Sequence, residues 1–375
     1  MTRRPEKVLV IAGYAPSLPN FRGPLLRRLV ELGHEVVAVA PEQDPETEAK
    51  LAGLGVRYRA VPFRRTGLNP LHDLGSSLGL YRVIRQERPE LVFAYTIKPV
   101  IFGSFAARAA GVRRIYAMVT GLGSIFTETD PRTRRLRRLV QVLYALALRL
   151  GRTAIFQNPD DRAVFTSRHL VPASRTRLVD GSGVDLTHYR QAPQPAGDLT
   201  FVLVGRLLRG KGIPEYVQAA RLLASRGRAR FVLVGPLDSN PSGIRREELE
   251  AWQAEGLVDY VGATDDVRPY LAACHVFVLP SAYGEGVPRS VLEALATGRA
   301  IITTDTPGCR ETVAPGHNGF LVPPGDPAAL AEAMAQFLDD PGLAGRMGKA
   351  SLELARQKYD VTLVNKQMLE AFELS

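Results

Sequence analysis

The chain has 375 residues, of which 45% are hydrophobic and 23% are charged, and its formal net charge is +10. This length suits two domains of ordinary size, and the composition is that of a globular protein rather than a disordered or fibrous one. No apolar run reaches the ~18 residues that a membrane-spanning helix requires. The two cysteines give neither a disulfide framework nor metal-ligand spacing, which predicts a reducing compartment.

Short apolar runs alternate with longer amphipathic segments along the whole chain, and this alternation is typical of parallel α/β sheets. In the first half the predicted strands are 7–13, 35–40, 56–61, 91–94, 114–118, 153–156 and 176–179, and the predicted helices are 22–32, 75–88, 98–110, 132–150 and 160–168. Stretches rich in glycine and proline, 180–185 and 191–197, interrupt the pattern. Further strands are then predicted at 200–204, 230–234, 258–261, 276–279 and 300–303. We therefore expect two Rossmann-like, doubly wound domains that face a central cleft, over residues 1–185 and 198–360.

Charge is distributed unevenly between the two halves. Residues 1–180 hold 29 Lys and Arg against 15 Asp and Glu, a net charge of +14. Residues 181–375 hold 19 against 23, a net charge of −4. A basic first half favours contact between that domain and a polyanion or an anionic membrane surface.

One basic segment, 132–150, is predicted as an amphipathic helix with Asp130 as N-cap and Pro131 as first residue. Its first turns hold Arg132, Arg134, Arg135, Arg137 and Arg138. An apolar stripe follows at helical spacing, Leu136, Leu139, Val140, Leu143, Ala147 and Leu150. The stripe alone is typical of a helix packed on a core. The arginines oppose the helix dipole, however, and so indicate an anionic partner, either lipid headgroups or an acceptor diphosphate.

Two carboxylates, Glu285 and Glu293, lie eight positions apart in the segment Y-G-E-G-V-P-R-S-V-L-E, which follows an apolar strand. A helix that begins near Pro288 or Arg289 would turn its free N–H groups and its positive dipole end toward the loop. Such an arrangement suits a phosphate-linked sugar, because N–H groups bind phosphate and carboxylates accept hydrogen bonds from hydroxyl groups. The simpler alternative is a helix start that carries acidic residues.

A glycine-containing loop, Gly205 to Gly212, follows the first strand of the second half and reads G-R-L-L-R-G-K-G. It resembles a P-loop but ends in glycine, where a magnesium-binding Ser or Thr is needed, which argues against an ATPase. Arg206 and Lys211 would together suit a diphosphate, although a lone Gly-Lys pair is more often a basic surface turn.

Three acidic pairs could be mistaken for metal ligands, Asp160–Asp161, Asp265–Asp266 and Asp339–Asp340. All are predicted at helix ends, where aspartate is favoured as a cap. Because Arg206 and Lys211 already supply positive charge for a diphosphate, we expect no required metal and no other cofactor.

The motif E-G-V-P-x-x-V-L-E-A-L-A-x-G resembles the paired-glutamate signature of family-four retaining glycosyltransferases, which have the two-domain GT-B fold. The resemblance extends to the 201–212 and 306–323 segments and covers the second half. In the first half it is narrower and rests on L-P-N-F-R-G (18–23), Y-T-I-K-P (95–99), V-T-G-L-G (119–123) and F-Q-N-P-D-D (156–161). These segments are similar to those of bacterial transferases that act on undecaprenyl-diphosphate-linked saccharides. The family also implies that the helix at about 361–375 packs back on the first domain.

The resemblance implies roles for several residues of the second half. Arg206 and Lys211 would bind the donor diphosphate and stabilise the leaving group, and Gly205 would lie in the same loop. Glu293 would accept hydrogen bonds from the ribose hydroxyl groups, and Glu285 would reach the transferred sugar. The implied donor-binding residues are Gly13, Gly205, Arg206, Lys211, Val261, Glu285, Gly286, Val287 and Glu293, and the implied catalytic residues are Glu285, Arg206 and Lys211. Val261 fits the base site and an ordinary core position equally well.

In the first half, Gly13 and Gly23 lie at a predicted strand-to-helix turn, where glycine lets the backbone approach a ligand. Many relatives carry a histidine at the end of the fourth strand, but this chain has none in the 95–99 segment. Lys98 faces either an acceptor diphosphate or solvent. The residues assigned to the acceptor or the membrane are Gly23, Lys98, Arg134, Arg135, Arg137 and Arg138.

The sequence therefore predicts a retaining, metal-independent glycosyltransferase. It would move a sugar, an N-acetylhexosamine, from a UDP donor to a polyprenyl-diphosphate-linked saccharide, in the cytoplasm at the inner face of the plasma membrane. Its expected partners are the nucleotide sugar, the lipid-linked acceptor and an anionic membrane surface, and not nucleic acid. The alternatives are a transferase with a soluble acceptor, a nucleotide-sugar 2-epimerase and, in a different class, a basic nucleic-acid-binding module.

Overall fold

The computed structural model describes residues 4–62, 70–122 and 134–374; the side chains of 70–74, 76, 134, 136 and 137 lie outside that description. The chain divides into two compact units. One is Met1–Ser182 together with Val364–Ser375, and the other is Gly183–Leu363. The sequence analysis placed the corresponding boundaries at 185–198 and near 361.

The first unit contains a seven-stranded sheet in which every pairing is parallel. Its strands are β1 (Lys7–Ile11), β2 (Glu35–Ala40), β3 (Arg57–Ala60), β4 (Leu91–Tyr95), β5 (Arg114–Val119), β6 (Thr153–Phe156) and β7 (Thr176–Leu178). They lie in the order β3-β2-β1-β4-β5-β6-β7. The direction of winding therefore reverses between β1 and β4, and ligands of such sheets bind at this switch point.

Helices cover the first sheet. They are α1 (Ser17–Glu31), α2 (Pro45–Ala52), α3 (Pro70–Glu87), α4 (Ser104–Ala109), α5 (Arg134–Leu150) and α6 (Pro159–Ser167). A wider π-helical turn, Pro99–Gly103, leads into α4. The predicted N-cap and first residue of the basic helix, Asp130 and Pro131, lie outside the described residues, as does Arg132. No helix of the described ranges combines the length and the apolar character that crossing a bilayer would demand.

The second unit contains a six-stranded parallel sheet in the order β10-β9-β8-β11-β12-β13. Its strands are β8 (Leu199–Val204), β9 (Ala229–Val234), β10 (Asp259–Gly262), β11 (Val276–Leu279), β12 (Ala300–Thr304) and β13 (Gly319–Val322). Its helices are α7 (Ile213–Leu223), α8 (Arg246–Ala254), α9 (Arg268–Ala272), α10 (Arg289–Thr297), α11 (Pro327–Asp339) and α12 (Leu343–Leu354). The switch point of this sheet lies between β8 and β11.

The central strands are short apolar runs because both of their faces are covered. All five residues of β4 are buried, as are all four of β11. The sequence analysis located twelve of the strands but missed β13. Its residues are only partly buried in the middle, so its apolar signal is short, and its place is fixed by pairing with β12.

The last helix, α13 (Val361–Ala371), leads back to the first sheet. The Phe372 ring lies 5.0 Å from that of Phe93 and 5.2 Å from that of Tyr116. The carbonyl of Phe372 accepts hydrogen bonds from the Tyr116 hydroxyl and the Arg114 guanidinium, each at 2.9 Å. The C-terminal segment is thus part of the core of the first unit.

Candidate functional site

The loops that follow β8 and β11 meet at the switch point of the second sheet. Gly212 begins α7 with φ = +77°, and a β-carbon there would lie 2.0 Å from the carbonyl oxygen of Pro280. Gly210 is similarly close to the ring of Tyr283. Only glycine fits at Gly212, because both the backbone angle and the space exclude a side chain. The glycines of the predicted diphosphate loop thus let it pack against the loop of the paired glutamates.

Lys211 and Glu285 form an ion pair in this loop contact. The distance from Lys211 Nζ to Glu285 Oε1 is 2.5 Å, and both side chains are mostly buried. The Ser281 hydroxyl lies 3.1 Å from the same carboxylate oxygen and also contacts the carbonyls of Gly210 and Tyr283. Burial opposes the charge of Lys211, but Glu285 outweighs it and raises the pKa of Lys211. The lysine is therefore a permanent cation, held in a site that water reaches poorly.

Arg206 and Tyr283 complete the charged end of the site. Arg206 Nη1 lies 2.8 Å from Asp238 Oδ2, and its side chain is about half exposed. Lys211 Nζ lies 5.8 Å from the centroid of the Tyr283 ring. Burial raises the pKa of Tyr283, and the charges of Lys211 and Arg206 act in the opposite direction. Asp238, Ser281 and Tyr283 were not singled out from the sequence.

The helix predicted after the loop is α10, which begins at Arg289 as expected, with Pro288 as N-cap. Glu293 lies about one turn inside it and is buried. Arg289 Nε donates to Glu293 Oε1 at 2.8 Å. The pairing of Arg289 with Glu293 was not predicted, although the spacing of four residues on a predicted helix is the signal for such a pair.

Tyr189 also lies beside this pair, and it belongs to the segment that precedes β8. Its side chain packs in the cluster that contains Val287, Val291 and Leu292. Burial raises the pKa of Tyr189, and the Glu293 carboxylate raises it further. The phenol therefore keeps its proton and is available as a hydrogen-bond donor to Glu293.

The loop after β12 supports the glutamate loop from the other side. The Pro307 carbonyl accepts a hydrogen bond from the Glu285 N–H at 2.9 Å. Gly308 has φ = +80°, and a β-carbon there would lie 1.9 Å from the carbonyl oxygen of Gly286. This contact explains the glycine in the T-P-G-C segment and fixes the backbone at Glu285 and Gly286.

Three further donor-site candidates have different surroundings. Val287 is buried in the core. Val261 is 41% exposed at the end of β10, so the interpretation of Val261 as an ordinary core residue is wrong. A β-carbon built on Gly205 meets no atom within 4 Å.

In the first unit, Gly13 lies between β1 and α1, at the strand-to-helix turn that was predicted, and β1 is one of the two strands at the switch point. A β-carbon there would lie 2.9 Å from the Thr96 hydroxyl, at the end of β4. Thr96 itself has φ = +69°, an uncommon angle for a threonine. Lys98 is half-buried just before the π-helical turn.

The prediction that Gly23 lies at a strand-to-helix turn is wrong. Helix α1 begins at Ser17, six residues before Gly23, so Gly23 is inside a helix and not at a turn. It faces Leu54, near the end of α2. Pro19 falls in the first turn of α1, where an N–H has no helical partner, so it is compatible with this earlier start. Pro24 lies inside the helix.

The neighbouring residue, Arg22, is the one that reaches the strand ends. Its guanidinium lies 2.8 Å from Met118 Sδ and 5.2 Å from the centroid of the Tyr95 ring, and the side chain is buried. The Tyr95 hydroxyl lies 2.8 Å from Ser17 Oγ. Burial raises the pKa of Tyr95 to about 12. A buried cation therefore lies at the C-terminal ends of β4 and β5.

Four arginines of α5 were predicted to contact the acceptor or the membrane. Arg135 and Arg138 are exposed, and the side chains of Arg134 and Arg137 lie outside the described part of the structure. Cys274 and Cys309 are buried free thiols. Over residues 4–62, 70–122 and 134–374, no group of three or more His, Cys, Asp or Glu side chains could hold a metal ion. Whether the reaction requires a metal stays a prediction.

Family models match both units of the chain. One, described as "Glycosyl transferase 4-like domain", matches residues 22–181, and the other, described as "Glycosyl transferases group 1", matches residues 198–340. The chain belongs to this glycosyltransferase family. The predicted family and enzyme class are thereby confirmed, and so is the predicted class of fold.

Named relatives of this glycosyltransferase include two enzymes of lipid-linked saccharides. It is 29% identical over 370 residues to the N,N'-diacetylbacillosaminyl-diphospho-undecaprenol α-1,3-N-acetylgalactosaminyltransferase of Campylobacter jejuni, with 95% of this chain and 96% of the relative covered. It is 25% identical over 300 residues to an Escherichia coli UDP-Gal:α-D-GlcNAc-diphosphoundecaprenol α-1,3-galactosyltransferase, with 76% of each chain covered.

Solved structures share the fold of this glycosyltransferase over nearly its whole length. Sucrose-phosphate synthase from Thermosynechococcus elongatus matches with a TM-score of 0.81 at 20% identity, covering 98% of each chain. Anabaena HepE, in complex with UDP and glucose, matches with a TM-score of 0.80 at 18% identity, covering 98% of this chain and 99% of the other. At these identities the likeness concerns the fold alone.

Proposed function

We propose that this glycosyltransferase transfers an N-acetylhexosamine, with retention of anomeric configuration, from a UDP-sugar to a saccharide carried on undecaprenyl diphosphate. The observation that carries the proposal is the Lys211–Glu285 pair at the switch point of the second sheet, beside the start of α10. A cation for a diphosphate and a carboxylate for sugar hydroxyl groups lie there within one hydrogen bond of each other. The names of the Campylobacter and Escherichia relatives support the acceptor class.

The donor site supplies charge where charge develops. As the bond between the anomeric carbon and the diphosphate oxygen breaks, negative charge grows on the nucleotide diphosphate. Lys211, Arg206 and the N-terminal end of α10 offset that charge, and a fixed arrangement of this kind needs no reorganisation during the reaction. We therefore propose that the step needs no metal ion.

Retention follows from attack on the face from which the nucleotide departs. The acceptor oxygen forms its bond to the anomeric carbon, and its proton passes to the departing phosphate oxygen. Glu285 accepts hydrogen bonds from hydroxyl groups of the sugar and orients it, and is not the nucleophile in this proposal. Glu293, held by Arg289, accepts hydrogen bonds from the ribose.

The acceptor is proposed to bind the first unit, whose residues to Asp180 carry the positive charge of the chain. An undecaprenyl chain remains in the bilayer, so the enzyme acts at the membrane surface as a peripheral protein. The exposed Arg135 and Arg138 of α5 support contact with an anionic surface.

The proposal is tested with a water-soluble, short-chain prenyl-diphosphate saccharide and a panel of UDP-sugars, with product detected by mass spectrometry. We expect transfer of an N-acetylhexosamine, an α-linked product by NMR from an α-linked donor, and undiminished turnover in excess EDTA.

The matched variant is Lys211→Ala. Its kcat/KM should fall by a factor that corresponds to ~2–4 kcal/mol of transition-state stabilisation, the scale for loss of one preorganised donor. Transfer to free saccharides alone would contradict the acceptor class. Loss of turnover in EDTA that Mg²⁺ or Mn²⁺ restores would contradict the metal-free mechanism.

A further inference from the structure

Helix α5 exposes a row of three large aliphatic side chains. Leu139, Val142 and Leu146 are 53%, 55% and 45% exposed. Single exposed hydrophobic residues are common on proteins, but no other helix or strand of the described residues carries more than one large one. The spacing of three and then four residues places all three on one face of the helix.

This row shares only Leu139 with the apolar stripe that the sequence suggested. Val140 and Ala147 of that stripe are buried, and they pack in the core with Tyr144 and Leu148. That side of α5 is a core face, as the stripe alone predicted. The exposed row lies on a different face of the helix. Helix α5 therefore has two apolar faces, and only one of them packs against the core.

Arginines share the exposed face. Arg135, Arg138 and Arg149 are exposed. With 3.6 residues per turn, these three and the aliphatic row fall within an arc of about 100°. The Arg149 guanidinium donates to the carbonyl of His169 at 2.5 Å, which leaves its charge unneutralised. No Asp or Glu occurs between residues 134 and 150.

We infer that this face, Leu139, Val142 and Leu146 with Arg135, Arg138 and Arg149, is inserted into the headgroup region of an anionic membrane. The aliphatic side chains would enter the boundary between headgroups and acyl chains, while the long arginines reach back to lipid phosphates. The inference rests on the proposed function in one respect, that the acceptor is carried by a membrane.

Size and charge favour a lipid surface over a protein partner. A stable protein interface buries ~800 Å² on each side, and three half-exposed aliphatic side chains offer only a fraction of that area. Interleaved arginines would be desolvated at the centre of such an interface, whereas a lipid surface leaves them among phosphates.

The test is flotation of the whole protein, without substrates, on vesicles of phosphatidylglycerol and phosphatidylethanolamine. The variant combines Leu139→Gln, Val142→Gln and Leu146→Gln. Because these side chains are exposed, the fold should survive, and the melting temperature checks this. We expect at least a tenfold loss of vesicle binding. The loss should include the fraction that stays bound in 0.5 M salt, since that fraction reflects insertion and not charge alone.

The matched control combines Leu32→Gln, Leu222→Gln and Leu363→Gln, which removes three comparably exposed leucines elsewhere and should leave vesicle binding unchanged. Arg135→Gln with Arg138→Gln should remove mainly the salt-sensitive part of binding. Unaltered flotation of the α5 variant, or no flotation of the native protein, would overturn the inference. So would a native dimer that this variant converts to a monomer, which would make the row a protein interface. Turnover of the soluble acceptor tests the proposed function separately and should be unaffected by the α5 variant.

Discussion

At the scale of single residues, the donor site uses one carboxylate in two ways. In the structure Glu285 neutralises Lys211 at 2.5 Å, and in the proposed reaction the same two groups contact different parts of the donor. A diphosphate that reaches Lys211 competes with Glu285 for the ammonium group. The carboxylate is then released toward the hydroxyl groups of the sugar, so that diphosphate binding prepares the sugar site.

Replacement of either glutamate should separate these contacts. Glu285→Ala should lower kcat/KM by a factor that corresponds to ~2–4 kcal/mol of transition-state stabilisation, because it removes the group proposed to orient the sugar. Its affinity for UDP should stay the same or increase, since Lys211 no longer has a competing partner. Glu293→Ala should weaken UDP and reduce the preference for UDP over 2′-deoxy-UDP. Calorimetric titration of both nucleotides measures each effect, and the opposite pattern would reverse the two assignments.

Two glycines of the diphosphate loop make a matched pair. Gly212 has φ = +77°, and Gly212→Ala places a methyl group 2.0 Å from the Pro280 carbonyl oxygen. The substitution should lower the free energy of unfolding by ~2–4 kcal/mol and lower the melting temperature. Gly205→Ala has open space and should fold as the native protein does.

If Gly205 lies against the donor, as the family resemblance implies, Gly205→Ala should still weaken nucleotide binding. The pair is read by thermal unfolding together with UDP titration. Native affinity in Gly205→Ala would remove Gly205 from the donor site, and a stable Gly212→Ala would contradict the account of the loop contact.

At the scale of elements, the start of α6 holds a buried carboxyl. Asn158 caps the helix by accepting the N–H of Asp161 at 2.7 Å, and its amide donates to Asp161 Oδ2 at 3.0 Å. The second oxygen, Oδ1, is buried and has no hydrogen-bond partner among the described residues. Burial raises the pKa of Asp161 to about 7, even though the Asn158 hydrogen bond acts to lower it.

The consequence is a pH-dependent stability. Between about pH 4 and pH 7 the unfolded carboxyl is ionised while the folded one keeps its proton, so the free energy of unfolding falls as the pH rises. Asp161→Asn should remove that fall. The free energy of unfolding of the variant, minus that of the native protein, should therefore be ~2–4 kcal/mol larger at pH 8 than at pH 4. Urea denaturation at both pH values measures it, with Asp160→Asn as control. Equal pH dependence in native protein and Asp161→Asn would contradict the buried acid.

The elements were predictable where a local pattern decides them. The start of α10 was predicted correctly, near Pro288 and Arg289. Its end at Gly298, with φ = +77°, is a common way for a helix to finish. The beginning of α1 was predicted too late, in a segment whose two prolines weaken the helical pattern. Strand β13 was missed because its position is fixed by pairing with β12.

At the scale of the whole molecule, the sequence indicated two doubly wound units and a donor site in the second. The paired glutamates and the glycine loop carry strong local signals. The partners of those residues were not predictable, because Asp238 reaches Arg206 and Tyr189 reaches Glu293 only through the tertiary fold. The exposed row of α5 was also beyond prediction, since a helical pattern with two apolar sides does not reveal which one the core uses.

The return of the C-terminal segment to the first sheet affects how the chain is made. Phe372 packs against Phe93 and Tyr116 in the core of the first unit. At ~5–20 residues per second, translation reaches Phe372 some tens of seconds after β1 has emerged from the ribosome. The second unit, Gly183–Leu363, is complete before that moment. The unit whose synthesis begins first is therefore the one whose core receives its last residues at the end of translation.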